Sequence, residues 1–314
     1  MLDIRRMRVL REVAARGSFS AAAESLAYTQ SAISQQVAAL ERETGTKLVE
    51  RGARGVRLTD AGRALVDHTD AILARLDDAQ SELEAIAGLR GGRLRVVAFP
   101  SVASSLMPPA IARFRAAHPA VELTLRPAEP GDGMALVKAG EADVALTIET
   151  ADDHAAAAIE GLERMALLDD PMFLVLPRGH PLAGRRRLRL EELAGEEWIM
   201  GSNSGTCPDA RILLRACAKA GFEPNVAFQS DDYLAIQGFI AAGVGVSLIP
   251  DLALVTVRDD VVVRSLGASA PHRRIVAATL ADAWASPARA AMLEVLRAVG
   301  DEFAEQRTAL KLAV

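Results

Sequence analysis

The chain has 314 residues, of which 50% are hydrophobic and 25% charged, a globular composition that suits two or three domains. No run approaches the roughly 18 apolar residues of a membrane span, and the first residues lack the apolar core of a secretory signal. These features exclude a membrane-spanning protein from our expectations, and we expect a cytoplasmic protein with no membrane partner.

The formal net charge of −5 is unevenly distributed. Residues 1–65 contain eleven Lys or Arg and seven Asp or Glu, a local net charge of +4, so the rest of the chain carries −9. A basic end on an acidic body is typical of a protein that binds a polyanion, although a chance fluctuation would give the same count.

Three short helices are predicted near the N-terminus. Residues 4–15 carry apolar side chains at helical spacing. Ser18 is a suitable N-cap for a second helix at 19–26, and Thr29 caps a third helix at 30–43 that stops at a Thr-Gly pair. Two helices joined by a short turn are typical of the helix-turn-helix motif.

The third helix has two distinct faces. Ile33, Val37 and Leu40 fall on one face at about 100° per residue, and the opposite face is mostly small or uncharged. In a helix-turn-helix this helix enters the major groove, where Gln can pair with adenine and Ser tolerates several bases. A merely solvated face is the alternative. The candidate DNA contacts here are Ser18, Thr29, Gln30, Ser31, Ser34 and Gln35.

A small basic hairpin is predicted at 46–59, with LVER and VRLT as its strands. Arg51, Arg54 and Arg57 lie on it, and such a wing suits phosphates or a narrow minor groove. The alternative is an ordinary charged hairpin.

A long helix is predicted from about residue 60 to 89, with Thr59 as its cap. Its apolar positions repeat in heptads, with one seam at Leu65, Ile72, Ala79 and Ile86 and a second at Thr69, Leu76 and Leu83. This pattern predicts pairing with another copy of the helix, and packing against its own chain is the alternative.

Strands and helices alternate beyond Gly91-Gly92 in two successive series, which predicts an α/β region of two subdomains. Ligands of open α/β sheets bind beyond the carboxyl ends of the strands. Here those ends are 99–104, 128–133 and 201–206. The candidate effector contacts are Phe99, Ser101, Val102, Ser104, Ser202, Asn203 and Thr206. A capping or loop role is the alternative for each, and Glu129 at the same mouth opposes a strongly anionic ligand.

Residues 17–62 closely resemble the winged helix-turn-helix of LysR-type transcriptional regulators. The matching elements are SFS-AA-L at 18–26, QSAIS at 30–34, LE at 40–41, TG-LVER at 44–51 and LTDAG at 58–62. The segments HPAVEL (118–123), GEADVAL (140–146) and AAGVGVSLIP (241–250) are similar to recurring segments of the same family, so the resemblance covers nearly the whole chain. The family often has Arg or Lys where Gln35 stands.

The resemblance implies an N-terminal all-α winged helix-turn-helix with a long linker helix, followed by an α/β effector domain of two subdomains like periplasmic binding proteins. The expected domains are 1–58 for DNA binding, 59–90 for the linker helix, 91–163 plus 268–308 for the first effector subdomain and 164–267 for the second. It also implies that homodimers or homotetramers bind an interrupted inverted repeat in double-stranded DNA. A small effector, in this family often a carboxylate, then acts through the inter-subdomain cleft on RNA polymerase.

Three other functions are weighed against this one. An enzyme is disfavoured because GSNSG (201–205) has Asn203 where a nucleophile elbow needs Ser, and the five His show no metal-ligand spacing, so no cofactor or metal is expected. A redox-sensing regulator using Cys207 and Cys217 stays open, although ten helical residues span about 15 Å, beyond the roughly 7 Å Cα separation of a disulfide. A solute-binding protein is disfavoured by residues 17–62.

Overall fold

The computed structural model describes residues 2–52, 55–86, 92–150, 161–185, 188–201, 208–281 and 286–312. The chain folds into two compact units, Met1–Gln80 with Lys138–Gly140 and Ser81–Val137 with Glu141–Val314. The helices of the described part lack the combination of length and hydropathy that a membrane crossing requires.

The N-terminal unit begins with the three short helices that the sequence predicts. The two predicted N-caps form: the side chain of Ser18 accepts a hydrogen bond from the Ala21 N–H, and that of Thr29 from the Ala32 N–H. Asp3, which the sequence did not single out, caps the first helix by accepting from the Arg5 N–H. Buried apolar side chains from all three helices form one core. The helices are α1 (Ile4–Arg16), α2 (Phe19–Ser25) and α3 (Gln30–Thr44).

A two-stranded antiparallel hairpin follows, β1 (Val49–Gly52) and β2 (Gly55–Leu58), with Val49 opposite Leu58. The Glu41 carboxylate fixes the entry to β1, because it accepts hydrogen bonds from the Leu48 and Val49 N–H groups and from Lys47. Although partial burial opposes the shift, these bonds lower the pKa of Glu41. Hydrogen bonds of Glu41 therefore connect the LE segment (40–41) at the end of α3 to the LVER segment (48–51) that forms β1.

The long helix α4 (Asp60–Ile86) starts where Thr59 accepts a hydrogen bond from Gly62 at 3.0 Å. Gly62 is required there, because a Cβ would lie 2.0 Å from the Leu48 carbonyl oxygen. The last residues of the helix predicted to residue 89 lie outside the described part.

The predicted heptad seam of α4 is divided. Leu65 is buried in the core of the N-terminal unit and Thr69 is fully buried, so packing against the chain itself accounts for the start of the seam. Farther along, Ile72, Leu76 and Leu83 are exposed at 41%, 51% and 66%. The side chain of Ile86 lies outside the described part, and among the described seam positions only this second stretch offers an apolar surface to a partner helix.

The second unit contains strands and helices in two series, as predicted. In chain order they are β3 (Gly92–Ala98), α5 (Pro100–Ser105), α6 (Met107–Ala117), β4 (Val121–Pro127), α7 (Pro130–Lys138), β5 (Val144–Glu149), β6 (Leu162–Pro177), β7 (Glu197–Met200), α8 (Pro208–Lys219), β8 (Asn225–Gln229), α9 (Tyr233–Ala241), β9 (Ser247–Pro250), β10 (Val261–Arg264), β11 (His272–Leu280) and α10 (Pro287–Leu312). Short 3-10 helices occupy Leu190–Leu193, Asp251–Leu254 and Gly267–Ser269.

Seven of these strands form one sheet in the order β10-β6-β11-β5-β3-β4, with β9 also paired to β6. Strand β3 runs parallel to β4 and β5, whereas β11 is antiparallel to β5 and β6. The 16-residue strand β6 passes through the position between residues 163 and 164 where the sequence placed the border of the two effector subdomains. Strands β7 and β8 form a separate parallel pair. The two-subdomain α/β architecture is confirmed.

The helical stretch after β3 is divided into α5 and α6, which meet at Leu106. Pro108 and Pro109 lack the N–H groups that would bond the carbonyls four residues earlier, so one continuous helix cannot form. The early start of α5 at Pro100 brings its first residues directly to the end of β3.

Candidate DNA-binding surface and effector cleft

The exposed face of α3 is uncharged at its N-terminal half. Gln30, Ser31 and Gln35 are exposed, Ser34 is half-buried, and the Ile33, Val37 and Leu40 side chains lie in the core on the other side. The face that the sequence assigned to base contacts is therefore accessible.

Thr29 and Ser18, both predicted to contact DNA, also cap helices α3 and α2. The Thr29 hydroxyl oxygen lies 3.2 Å from the Ala32 N–H and 3.0 Å from the Ser31 hydroxyl. Ser18 is half-buried and its hydroxyl oxygen accepts from Ala21 at 3.5 Å. These interactions fix the starts of α2 and α3.

The hairpin is tied to the turn before α2. The Val56 N–H donates to the Gly17 carbonyl at 2.9 Å, and a Cβ at Gly55 would lie 2.7 Å from the same oxygen. Arg57 is exposed on β2. The predicted contact Arg54 and the side chain of Arg51 lie outside the described part. The described hairpin thus presents one of its three arginines to solvent.

A cleft opens between the two effector subdomains, where β3, β4 and β7 end and where α7, α8 and α9 begin. The cleft is open at its mouth, and the space in it that water-sized molecules can occupy measures about 40 Å³. Its described lining is apolar at the walls and acidic near Glu129, Asp209 and Asp231. The lining residues are Phe99, Pro100, Ser101, Glu129, Pro130, Ile148, Met200, Gly201, Pro208, Asp209, Leu213, Ser230, Asp231, Tyr233, Ile236, Ser247, Leu248 and Arg273.

A buried arginine joins the subdomains at the floor of this cleft. Arg273 of β11 lies opposite Asp170 of β6 and donates to its carboxylate at 2.8–2.9 Å. It also donates to Asp209 of α8 at 2.8 and 2.9 Å and to the Ser101 hydroxyl of α5 at 2.7 Å. Arg273 is 1% exposed and Asp170 0%. The network therefore couples residues of both subdomains to the strands that connect them.

The remaining partners complete the network. Tyr233 of α9 donates its hydroxyl to Asp209, and the Leu252 N–H donates to Asp170 at 3.1 Å. Burial raises the pKa of the Asp170 carboxyl to about 6, while Arg273 and the Leu252 N–H oppose that rise. Burial lowers the pKa of Arg273, but the carboxylates of Asp209 and Asp170 raise it further than burial lowers it. The guanidinium therefore stays charged.

Glu129 lies in a different electrostatic setting. Burial raises its pKa, and the carboxylates of Asp231, Asp209 and Asp132 add to the rise, with Arg273 opposing. No described residue donates a hydrogen bond to its carboxylate. The neighbouring carboxylates at the mouth of the cleft therefore disfavour ionisation of Glu129.

The predicted effector contacts divide into three groups. Phe99 and Ser101 line the cleft. Val102 is fully buried in the core of the first subdomain, and Ser104 is exposed and donates to the Ser101 carbonyl at 3.2 Å, so neither lies on the described lining. Ser202, Asn203 and Thr206 lie outside the described residues.

Four polar residues that line the cleft were not predicted from the sequence: Asp209, Asp231, Tyr233 and Arg273. Nothing in the sequence separates Arg273 from its neighbour Arg274, since both precede the same apolar run. Strand alternation buries Arg273 and leaves Arg274 more open.

The two cysteines do not form a described reactive pair. Cys217 is fully buried among apolar side chains of the second subdomain, and this burial raises the pKa of its thiol to about 12. A thiol of that kind is a poor nucleophile at neutral pH. Cys207 lies outside the described part, and the described residues include no group suited to bind a metal ion.

Comparison with known proteins follows the same division of the chain. Residues 4–63 match the family model described as a bacterial regulatory helix-turn-helix protein of the lysR family, and residues 87–301 match the LysR substrate binding domain. The probable HTH-type transcriptional regulator LrrA of Synechococcus elongatus is 31% identical over 96% of this chain and 98% of its own. The transcriptional dual regulator GltC of Bacillus subtilis is 28% identical over 80% of this chain and 81% of its own.

Solved structures share the fold. A full-length OxyR variant from Pseudomonas aeruginosa has a TM-score of 0.68 at 23% identity and covers 96% of this chain and 95% of its own. Full-length CbnR in complex with its target DNA has a TM-score of 0.66 at 21% identity and covers 95% of this chain and all of its own.

Proposed function

The chain belongs to the LysR family of DNA-binding transcriptional regulators, and on that premise we propose which parts of it perform each task. DNA binding is assigned to 1–58, subunit pairing to 59–90, and effector binding to the subdomains 91–163 plus 268–308 and 164–267. That the protein turns over no substrate belongs to the same proposal, as does a cytoplasmic location, where its DNA target lies.

The exposed polar face of α3 carries the DNA-binding assignment. Ser31, Ser34 and Gln35 project from the side of the helix opposite its buried stripe, and Gln30 lies at the N-terminal tip. Uncharged amides and hydroxyls suit base edges. Backbone phosphates are assigned to the wing arginines and to the N-cap residues Ser18 and Thr29. The wing arginines are Arg51, Arg54 and Arg57.

Pairing of α4 supplies the second half of the site. The exposed Ile72, Leu76 and Leu83 side chains give the helix an apolar surface that a second copy covers. A dimer of this kind presents two recognition helices and therefore reads an interrupted inverted repeat. Association of two such dimers gives the tetramer. Effector binding changes the geometry of the DNA that the assembly holds, and this change acts on RNA polymerase.

The cleft is assigned to a small-molecule effector. Its floor is a hydrogen-bonded network with members from both subdomains, so a ligand that contacts Ser101 or Asp209 contacts the joint between them. A ligand shifts a conformational equilibrium only if it binds the two conformations with different affinities. Because this network links the subdomains, the ligand's contacts with it differ between one arrangement of the subdomains and another. The loop residues Ser202, Asn203 and Thr206 are assigned to the same site. The carboxylate effector expected from the resemblance is opposed by the acidic lining.

Redox sensing is not favoured as a second function, because Cys217 is buried with a raised thiol pKa. Without a second reactive thiol, a disulfide switch has no partner for Cys207 among the described residues.

The function is tested by fluorescence anisotropy with labelled duplex DNA from the region upstream of the protein's own gene. We expect saturable binding by the full chain that exceeds binding to an unrelated duplex of equal length. Affinity should fall about a thousandfold or more between roughly 50 and 200 mM salt, because phosphate contacts release counterions. Equal binding to both duplexes, or none at low salt, would contradict the proposal.

A further inference from the structure

The turn between α2 and α3 exposes an aromatic ring beside the recognition helix. Tyr28 lies directly before the N-cap Thr29, and its side chain is 61% exposed. Its hydroxyl makes no hydrogen bond with any other residue that the structure describes. Single exposed apolar side chains are ordinary on a protein surface. The exposure therefore gains meaning only from the way in which the turn holds this residue.

The backbone is fixed on both sides of Tyr28. Its N–H donates to the Ala23 carbonyl at 2.9 Å and closes the end of α2. Ala27 has a φ of 55°, in the left-handed region in which helices commonly end. On the other side, the Thr29 hydroxyl caps α3. The ring therefore projects from an ordered backbone, and little further ordering is needed when it binds a partner.

Two other helices of the chain end in the same hydrogen-bonded turn and cover the residue at this position. The Phe222 N–H donates to the Cys217 carbonyl after α8, and the Val244 N–H to the Phe239 carbonyl after α9, both at 3.1 Å. The side chains of Phe222 and Val244 pack against the apolar core of the second subdomain. Such a contact frequently accompanies this turn. Tyr28 departs from that pattern, because its ring points to solvent in the same turn.

The place of Tyr28 in the motif indicates which part of the DNA it reaches. In a helix-turn-helix the N-terminal residues of the second helix meet base edges, and here those residues are Gln30 and Ser31. A side chain that precedes the N-cap lies outside this row, at the edge of the groove where the sugar-phosphate backbone runs. Tyrosine hydroxyls are among the groups that donate to phosphate oxygens in protein–DNA complexes.

We propose that Tyr28 is a DNA contact of this regulator, whose hydroxyl donates to a backbone phosphate at the edge of the major groove while its ring packs against the adjoining sugar. The contact rests on the proposed DNA-binding role of α3 and anchors the start of that helix. Unlike the guanidinium of Arg57, the hydroxyl is neutral, so it adds affinity without releasing a counterion. A phosphate contact positions the helix and reads no base.

Tyr28→Phe tests the contact in the full chain, by anisotropy with the duplex from upstream of the protein's own gene at several salt concentrations. The variant keeps the ring and removes a hydroxyl that has no partner in the described fold, so Tm should not change. We expect affinity to fall about tenfold, as for loss of a hydrogen bond to a charged group. The fall should be equal for duplexes with single base-pair changes, and the slope of log affinity against log salt should stay the same.

Arg57→Gln is the contrasting variant, because it removes a charge from the exposed side of the hairpin. It should also weaken binding to all duplexes, but it should reduce the salt slope by about 1 for each subunit bound. A common loss of affinity with different salt slopes separates the neutral contact from the charged one.

Methylphosphonate substitution at single positions of the duplex locates the phosphate. At the contacted position it should weaken binding of the wild type and have little further effect on Tyr28→Phe, since both changes remove the same hydrogen bond. Wild-type affinity in Tyr28→Phe, a changed base preference, a changed salt slope or a lowered Tm would each overturn the inference. All four are measured against a wild type that binds the duplex, whereas a wild type that does not bind refutes the proposed function itself.

Discussion

Arg273 shows how one buried residue can hold two subdomains to the strands between them. Its guanidinium satisfies two carboxylates that are themselves removed from water, so neither the arginine nor its partners can be replaced singly without leaving a buried charge. The same residue closes the floor of the effector cleft. The network that buries these charges therefore also forms the floor of the cleft that we assign to the effector.

Arg273→Met tests the structural part of that role. Removing the guanidinium leaves Asp170 and Asp209 without their partner, and we expect the free energy of unfolding to fall by about 3–5 kcal/mol in urea titrations. Arg274→Met, which removes the exposed pair with Asp169, is the control and should change little. A loss below about 1 kcal/mol for Arg273→Met would mean that the network does not stabilise the fold.

Glu129→Gln tests the repulsion at the cleft mouth in the absence of ligand. Because the folded-state pKa of Glu129 is raised, wild-type stability decreases as pH rises from the ordinary value of 4.5 through the folded pKa. The neutral variant escapes this loss. Its Tm should therefore exceed that of the wild type at pH 7 and match it below pH 4.5, and a variant less stable at pH 7 would show that Glu129 has a favourable partner.

The helical elements of the N-terminal unit could be predicted closely because their signals are local. Thr29 and Gly45 lie at the ends of α3 as N-cap and left-handed C-cap, and each acts within a few residues of its own position. The buried face of α3 could likewise be predicted from the spacing of Ile33, Val37 and Leu40 alone. What spacing could not show is that Leu65 and Thr69 of α4 are already buried within the chain, since that depends on packing between elements.

Recognition by α3 is tested with Gln35→Arg. The variant adds a charge to the face that we assign to base edges, so nonspecific affinity should rise severalfold and the preferred base at one position of each half-site should change, because Arg favours guanine. Anisotropy with duplexes that carry single base-pair changes measures both effects.

Gln36→Arg is the control for added charge. Gln36 is also exposed, but it lies about 100° around the helix from Gln35. This variant should raise nonspecific affinity without changing base preference. An unchanged preference in Gln35→Arg would mean that Gln35 does not contact a base.

The cleft was harder to predict than the helices because its chemistry arises at the scale of the whole effector domain. Ser101 was found from its place after a strand, whereas Arg273 and Asp209 are 64 residues apart and meet only through the sheet and α8. The two Arg at 273 and 274 look alike in the sequence. Their different burial is set by the pairing of β11 with β6, which no local pattern contains.

At the scale of the assembly, Leu76→Asp tests pairing through α4. A charge on the exposed apolar surface should shift the protein toward monomers in analytical ultracentrifugation and weaken binding to a full inverted repeat far more than binding to a half-site. Arg75→Asp places the same side chain on the neighbouring exposed position and should leave the assembly intact. Unaltered sedimentation of Leu76→Asp would assign pairing to another surface.

The most direct test of the central claim is selection of bound duplexes from a randomised pool by the wild-type full chain. A regulator with paired recognition helices should enrich an interrupted inverted repeat with half-sites on one face of the DNA. Addition of a small molecule that binds the cleft should change the affinity for, or the protected length of, the selected site. Enrichment of no sequence over the starting pool would contradict the account.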